Sequence, residues 1–158
     1  MNQSGNSALL RTLGLSALSG ARTMMPLALL SRHLSQQTGR KRYPSIWSSK
    51  RTARVLTLLA AGELVGDKLP TAPARISTSA LVGRGLSGAI VGAAQFKRRH
   101  RSALMGSTVG VIGALGGAFV TYQLRKRLGE YTGAPDPVLG GVEDLLVVKA
   151  GRRLLRGR

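Results

Sequence analysis

Residues 102–124 read SALMGSTVGVIGALGGAFVTYQL, a stretch of 23 residues without a charged side chain. About 20 apolar residues are needed for a helix to cross the hydrocarbon core of a bilayer. Cations bracket the stretch at 97–101 and 125–127, and Tyr122 falls where an interfacial aromatic is expected. In water its glycines would weaken a helix by about 1 kcal/mol each relative to alanine. The stretch therefore predicts a membrane-spanning helix.

The composition agrees with this interpretation. The chain has 24 Lys and Arg against 6 Asp and Glu, a net charge of +18, yet its mean hydropathy is slightly positive. Charged and apolar residues must therefore be segregated along the chain. Only 4% of the residues are aromatic, whereas 21 are glycine, which favours close helix packing in lipid over a soluble core. The absence of cysteine excludes disulfides, thiolate nucleophiles and Cys-based metal sites.

Further apolar stretches predict an all-α, polytopic membrane bundle of four to five short helices, partly broken at Pro26 and Pro70. The first stretch is either one kinked span or two short helices, because arginines and Pro26 interrupt it. The predicted spans are 8–34, 53–70, 79–96, 102–124 and 138–155. They belong to one membrane domain, 8–151, with an N-terminal tail at 1–7, a basic loop at 35–52 and a basic C-terminal tail at 152–158.

Small residues recur at helical spacing in two adjacent spans, a pattern that lets helix backbones approach closely in lipid. It predicts a tight helical hairpin with the basic segment 97–101 at its turn. The glycines assigned to helix packing are Gly85, Gly88, Gly92, Gly106, Gly110, Gly113 and Gly117.

The cations predict an orientation. Residues 40–54 carry six Lys and Arg, with Tyr43 and Trp47 placed for a headgroup interface. If five spans alternate, this loop, the turn at 97–101 and the C-terminal tail share one side, whereas 125–127 lies in a loop opposite. The positive-inside rule then predicts an N-terminus outside and a C-terminus inside. Anionic lipid headgroups, as partners, would attract these cations by roughly 1 kcal/mol each.

The six carboxylates are concentrated rather than scattered, because five of them occur in two short apolar contexts and only Glu130 resembles ordinary loop. Glu63 and Asp67 are four residues apart and share one helical face. An unpaired charge at the bilayer centre costs about 2.5–3.5 kcal/mol, so such groups should face the bundle interior and pair. The candidate intramembrane polar site comprises Arg22, Glu63, Asp67, Lys68, Asp136, Glu143 and Asp144. Arg84 either pairs there or extends to the interface.

Three sequence blocks resemble the small bacterial membrane proteins of the domain of unknown function 4126 family. They are GART at 20–23 with PLA at 26–28, GELVGDKLP at 62–70, and Asp136-Pro137 with Glu143-Asp144. In the third block aspartate stands at 136 where the family has asparagine. The resemblance spans about 14–150 and implies a multi-helix integral protein, expected in the bacterial inner membrane. It implies no activity, but it marks Arg22, Glu63, Asp67, Lys68, Glu143 and Asp144 as shared polar positions.

Two hypotheses for function follow. Ionisable residues inside a membrane are typical of ion, proton or solute paths, which predicts a small transporter or channel-like protein. The alternative is a non-catalytic scaffold or assembly protein whose charges only fix the helices. A homo-oligomer is a geometric expectation, because five short spans hardly enclose a wide pore.

Other classes are less favoured. A soluble nucleic-acid binder would explain the charge, but not the uncharged span or the lack of interleaved aromatics. Enzyme motifs are scarce, His33 and His100 are expected to be interfacial, and no cofactor is predicted. Carboxylates could hold Mg²⁺ beside a lipid phosphate, but their spacing does not single out a metal site. The acid-free segment 1–62 is also typical of a transit peptide, although the block at 20–28 favours a retained span.

Overall fold

The fold is known from a computed structural model, which describes residues 3–36, 45–66, 77–133 and 135–156. Over these residues the chain is helical and contains no strand, which confirms the all-α prediction. The helices are α1 (Gln3–Ala21), α2 (Met24–Gln36), α3 (Ser45–Ser48), α4 (Lys50–Gly66), α5 (Thr78–Lys97), α6 (Ala103–Thr132) and α7 (Asp136–Arg156).

Helices α5 and α6 form an antiparallel hairpin in which glycine meets glycine. Gly88 lies against Gly110 and Gly92 against Gly106, so closely that a methyl group at any of the four would overlap the facing carbonyl oxygen. The turn is short, because α5 ends at Lys97 and the Ser102 hydroxyl caps α6 by accepting from the Met105 N–H. Side chains at the four glycines would therefore force the two backbones apart.

The other predicted packing glycines do not belong to this contact. Gly113 and Gly117 face α1 instead, where Gly117 lies against the backbone of Ala17. Gly20 of α1 completes this second close approach by packing on the backbone of α6. Gly85 has no atom within 4 Å of an added Cβ, so its assignment to helix packing is wrong. One stripe of small residues on α6 thus packs on α5 near the start of the helix and on α1 further along it.

The predicted span 8–34 consists of two helices that reverse direction, not of one kinked span. Helix α1 ends at Ala21 and α2 begins at Met24. Leu18 and Leu29 both lie beside Gly151 of α7, although they stand on opposite sides of the junction. The chain therefore turns back on itself at residues 22–23, and α2 returns along α1.

This reversal brings several basic segments to one end of the bundle, named here the basic end. Helices α1 and α7 run antiparallel, because Arg22 lies against Asp144 and Gly14 lies against Leu154, so the start of α1 points towards the end at which α7 finishes. The end of α2 lies at the α5–α6 turn, where His33 Nε2 is 3.5 Å from Arg98 Nη2.

The start of α1 also approaches the α5–α6 turn. Partial burial, and after it the positive charge of Arg11, lowers the pKa of the Arg99 guanidinium. The basic end therefore comprises the start of α1, the end of α2, residues 98–102 and the end of α7. The start of α1 and the end of α7 lie towards one end of the bundle, whereas five alternating spans predict an N-terminus and a C-terminus on opposite sides.

Several boundaries differ from the sequence prediction because charged residues continue helices that a hydropathy criterion ends. Helix α6 runs to Thr132 and includes residues 125–127 and Glu130, which were expected in loops. The helix ends at Gly133, whose backbone is left-handed (φ 63°) and whose N–H donates to the Gly129 carbonyl oxygen. The predicted loop 35–52 contains α3 and the start of α4, and α7 extends into the predicted basic tail. Pro70 lies outside the described residues.

Many large apolar side chains face outward, although the core itself is mostly apolar and contains Leu15, Leu30 and Phe96. Leu58, Leu104 and Phe119 are 72%, 79% and 61% exposed. Several hydroxyl residues are buried beside these apolar side chains, including Thr12, Ser16 and Ser19 along one face of α1. Of the described helices, only α6 is long and apolar enough to cross a membrane by length and composition, which alone is weak support for a membrane location.

Candidate functional site at the break between α1 and α2

The site begins with the interruption of the helix at Arg22 and Thr23, named here the α1–α2 break. Pro26 is the third residue of α2, where proline is tolerated because the N–H groups of the first turn have no partner within the helix. The chain can therefore start a new helix there. Its unpaired N–H groups, and the carbonyls at the end of α1, require partners from other helices.

Arg22 is buried in the bundle and forms an ion pair with α7. Its side chain is 2% exposed, and its Nε donates to Asp144 Oδ1 at 2.5 Å; the Asp144 side chain is 15% exposed. Bringing a guanidinium and a carboxylate out of water costs several kcal/mol per ion. The attraction between the two charges offsets this desolvation cost. The pair fixes α7 to the α1–α2 break across 122 residues of sequence.

Glu63, near the end of α4, caps the start of α2 from outside that helix. Its Oε1 accepts the Thr23 N–H and its Oε2 accepts the Met24 N–H, each at 2.7 Å. A carboxylate is well suited to this position, because the first N–H groups of a helix are unpaired and carry the positive end of its dipole. Both oxygens of Glu63 are thus committed to the α1–α2 break.

Helix α5 provides a hydrogen-bond donor for a backbone carbonyl within the α1–α2 break. Ser87 Oγ donates to the Thr23 carbonyl oxygen at 2.6 Å and lies 3.2 Å from Ser19 Oγ. Arg84, one turn earlier on α5, is only 7% exposed. It therefore lies within the bundle and does not extend to an interface.

Glu143 belongs to a second, separate ion pair. Arg125 Nη1 of α6 donates to Glu143 Oε2 at 3.1 Å, and the two side chains are 11% and 14% exposed. Because neighbouring residues of a helix point about 100° apart, Glu143 and Asp144 face different partners. The Arg125–Glu143 pair borders an apolar crevice of about 350 Å³ between α1, α6 and α7.

The structure thus brings together three residues of the predicted polar site: Arg22, Glu63 and Asp144. Asp67 and Lys68 lie outside the described residues, and for Asp136 only its place at the start of α7 is described. Among the described residues, His, Asp and Glu form no group of three that could hold a metal ion. Each of Glu63, Glu143 and Asp144 is turned to a different partner, so the described carboxylates do not converge as a Mg²⁺ site requires.

Sequence reasoning missed the backbone N–H groups of Thr23 and Met24, the hydroxyls of Ser19 and Ser87, and Arg125. Backbone groups carry no sequence signal of their own. The hydroxyl residues did carry one, because Thr12, Ser16 and Ser19 recur every three or four residues and so form one polar face of α1.

These contacts define an all-α protein with one buried ion pair at a break between two antiparallel helices and a second ion pair between α6 and α7. The chain belongs to the family described as domain of unknown function (DUF4126), whose model matches residues 9–150. The family resemblance of its sequence blocks is thereby confirmed. No curated protein and no solved structure matches the chain.

Proposed function

We propose that the chain is a polytopic integral membrane protein whose α1–α2 hairpin is re-entrant. The distribution of side chains supports this proposal, since many large apolar side chains face outward while Arg22 and Arg84 are buried in the bundle. Only 28% of the apolar window of α6 is buried, whereas the core helix of a soluble protein would be mostly covered. The expected partners are lipid bilayers with anionic headgroups and further copies of the chain, rather than nucleic acid.

The basic end is proposed to face the cytoplasm of a bacterial cell by the positive-inside rule. In this orientation both the start of α1 and the end of α7 are cytoplasmic, in contrast to an N-terminus outside. The α1–α2 break then lies within the membrane. Ser87, which contacts it, stands about ten residues before the turn at Lys97, a rise of about 15 Å along α5.

Extraction from membranes tests the location. We expect the protein to stay in the pellet after treatment with alkaline carbonate or high salt and to be released only by detergent, because its outward surface is apolar. Immunoblotting of the fractions measures the outcome. Complete release by high salt would contradict the proposal and indicate attachment through the basic surface alone.

We further propose that the protein is a small transporter or channel-like protein for an ion, a proton or a small polar solute. The observation that carries this proposal is the α1–α2 break itself, with Arg22 and two backbone N–H groups facing Asp144 and Glu63. Interrupted helices in membranes are tolerated where the exposed backbone groups are held by protein or line a polar path. Glu63 holds the start of α2 through both of its carboxylate oxygens, so a change at this residue acts directly on the interrupted backbone.

Proton flux into liposomes tests this function. The protein is reconstituted in vesicles loaded with a pH-sensitive dye, and flux is driven by a potassium gradient with valinomycin. We expect Glu63→Gln to abolish most of the flux, because the amide cannot carry the proton. The exposed Glu130 provides the matched control, since Glu130→Gln removes the same charge away from the break. Equal flux in both variants would contradict a role for Glu63 in conduction.

A scaffold is the second candidate, and a specific observation favours it. The three described carboxylates of the predicted site already have partners within the chain. A scaffold predicts no flux through the unmodified protein. It also predicts that Glu63→Gln acts only on stability, by about 1–3 kcal/mol, because the amide leaves one N–H of the break without an acceptor.

A further inference from the structure

The groove between α2 and α4 at the basic end combines cations with apolar surface. It has a volume of about 540 Å³. Its walls are formed by Arg32, Ser35, Gln36, Lys50, Ala53, Arg54, Thr57 and Leu58. These residues define the α2–α4 groove.

The available polar groups of the groove are its three cations and the exposed side chain of Gln36. The hydroxyls beside them donate to their own helices, Ser35 to the Arg32 carbonyl at 2.9 Å and Thr57 to the Ala53 carbonyl at 2.6 Å. Arg32, Lys50 and Arg54 are exposed, and among the described residues no carboxylate contacts them. The groove therefore concentrates positive charge that an anion can neutralise.

Below the cations, α4 presents an apolar strip. Arg54, Leu58 and Val65 follow one another at helical spacing on the same face of α4, and the two apolar side chains are 72% and 66% exposed. This strip leads from the groove towards the level of the α1–α2 break, since Glu63 near the end of α4 reaches that break. Cations above an outward apolar strip match a molecule with an anionic head and an acyl chain.

We propose that the α2–α4 groove binds one anionic phospholipid, with its phosphate at Arg32, Lys50 and Arg54 and an acyl chain along Leu58 and Val65. This proposal rests on the membrane location proposed above. It goes beyond a general attraction of cations to an anionic surface, because it assigns three side chains to one lipid. A free phosphate or a nucleic acid would use the cations but leave the apolar strip uncovered.

The chain contains a built-in probe for this lipid. Trp47 is the single tryptophan, and it lies beside α2, one of the two helices of the groove, because the Trp47 carbonyl oxygen accepts the Ser31 hydroxyl at 3.0 Å. Phospholipids with brominated acyl chains quench tryptophan on contact. Quenching of Trp47 by brominated phosphatidylglycerol, compared with brominated phosphatidylcholine, therefore reports preferential occupancy near the groove.

The experiment uses the full-length protein in bilayers of mixed lipid composition. We expect phosphatidylglycerol to be preferred by between roughly fivefold and roughly a hundredfold, because each cation near an anionic surface contributes roughly a fivefold gain and the groove has three of them. The preference should disappear in the triple variant Arg32→Gln, Lys50→Gln, Arg54→Gln. It should persist in Arg152→Gln, Arg153→Gln, Arg156→Gln, which removes three exposed cations at the same end but outside the groove.

Two outcomes would overturn the lipid site. Equal loss in both triple variants would show a diffuse attraction, and quenching without preference in the unmodified protein would show an ordinary contact with surrounding lipid. In both cases a protein resistant to carbonate extraction would leave the proposed membrane location intact. A protein released by salt, whose Trp47 neither brominated lipid quenches, would overturn both proposals together.

Discussion

Replacing Arg22 with methionine is expected to destabilise the protein by about 3–5 kcal/mol, one of the largest effects of any substitution in the bundle. The arginine is 1% exposed as a residue, and its removal leaves the Asp144 carboxylate largely buried without its guanidinium partner. Thermal unfolding of the detergent-purified protein measures the loss. The matched control is Arg127→Met, an exposed position on α6, where a change within about 0.5 kcal/mol is expected.

The double variant Arg22→Met with Asp144→Leu tests whether the two charges stabilise the protein as a pair. Buried ion pairs replaced as a whole by apolar residues of similar volume are often as stable as the original, so most of the lost stability should return. A double variant as unstable as the sum of the two single variants would show that the charges do not act as a pair. Equal stabilities for Arg22→Met and Arg127→Met would contradict the burial of Arg22.

The same double variant separates the two proposed functions. If the Arg22–Asp144 pair only holds the helices together, the restored protein should behave like the original in every assay. If the pair is part of a polar path, the restored protein should fold but lose its flux. A stability measurement and a flux measurement on one variant therefore distinguish a scaffold from a conduit.

The α5–α6 hairpin was predictable from the sequence, because its determinants are local. An uncharged stretch, a short basic turn and small residues at helical spacing are all readable from residues 79–124. The sequence did not show which glycines of α6 contact α5 and which contact α1. Gly113 and Gly117 follow the same spacing as Gly106 and Gly110, and only the position of α1 decides that they face it.

The reversal at the α1–α2 break was not predictable, because its determinants are distant in sequence. Pro26 permits both a kinked span and a new helix. Which of the two forms depends on residues that are distant in sequence from Thr23. Glu63, 40 residues away, accepts the Thr23 N–H, and Ser87, 64 residues away, donates to the Thr23 carbonyl oxygen. The cost of a charge in an apolar environment predicts that charges pair, as Arg22 and Asp144 do. The partner of Glu143 was not predictable, since Arg125 stands in a run of three cations.

Gly92→Ala is the second substitution with a large expected effect. It is expected to lower the stability of the protein, whereas its control is expected to leave the stability unchanged or to raise it. An added methyl group would overlap the carbonyl oxygen of Gly106 and approach the Gly110 backbone. These atoms are backbone and cannot rotate away, so the two helices must separate. Overpacking of this kind costs about 1–3 kcal/mol or more, and the lost contact runs along the whole α5–α6 interface. Thermal unfolding in detergent should show a clear decrease in stability.

The control is Gly85→Ala on the same helix, seven residues earlier. An added methyl group there meets no atom within 4 Å, and alanine is favoured over glycine within a helix by up to about 1 kcal/mol. We therefore expect this variant to be as stable as the original or more stable. Since the two substitutions are chemically identical, a difference in helix propensity cannot explain opposite signs. Similar effects on stability at both positions would contradict the close approach of α5 to α6 at Gly92.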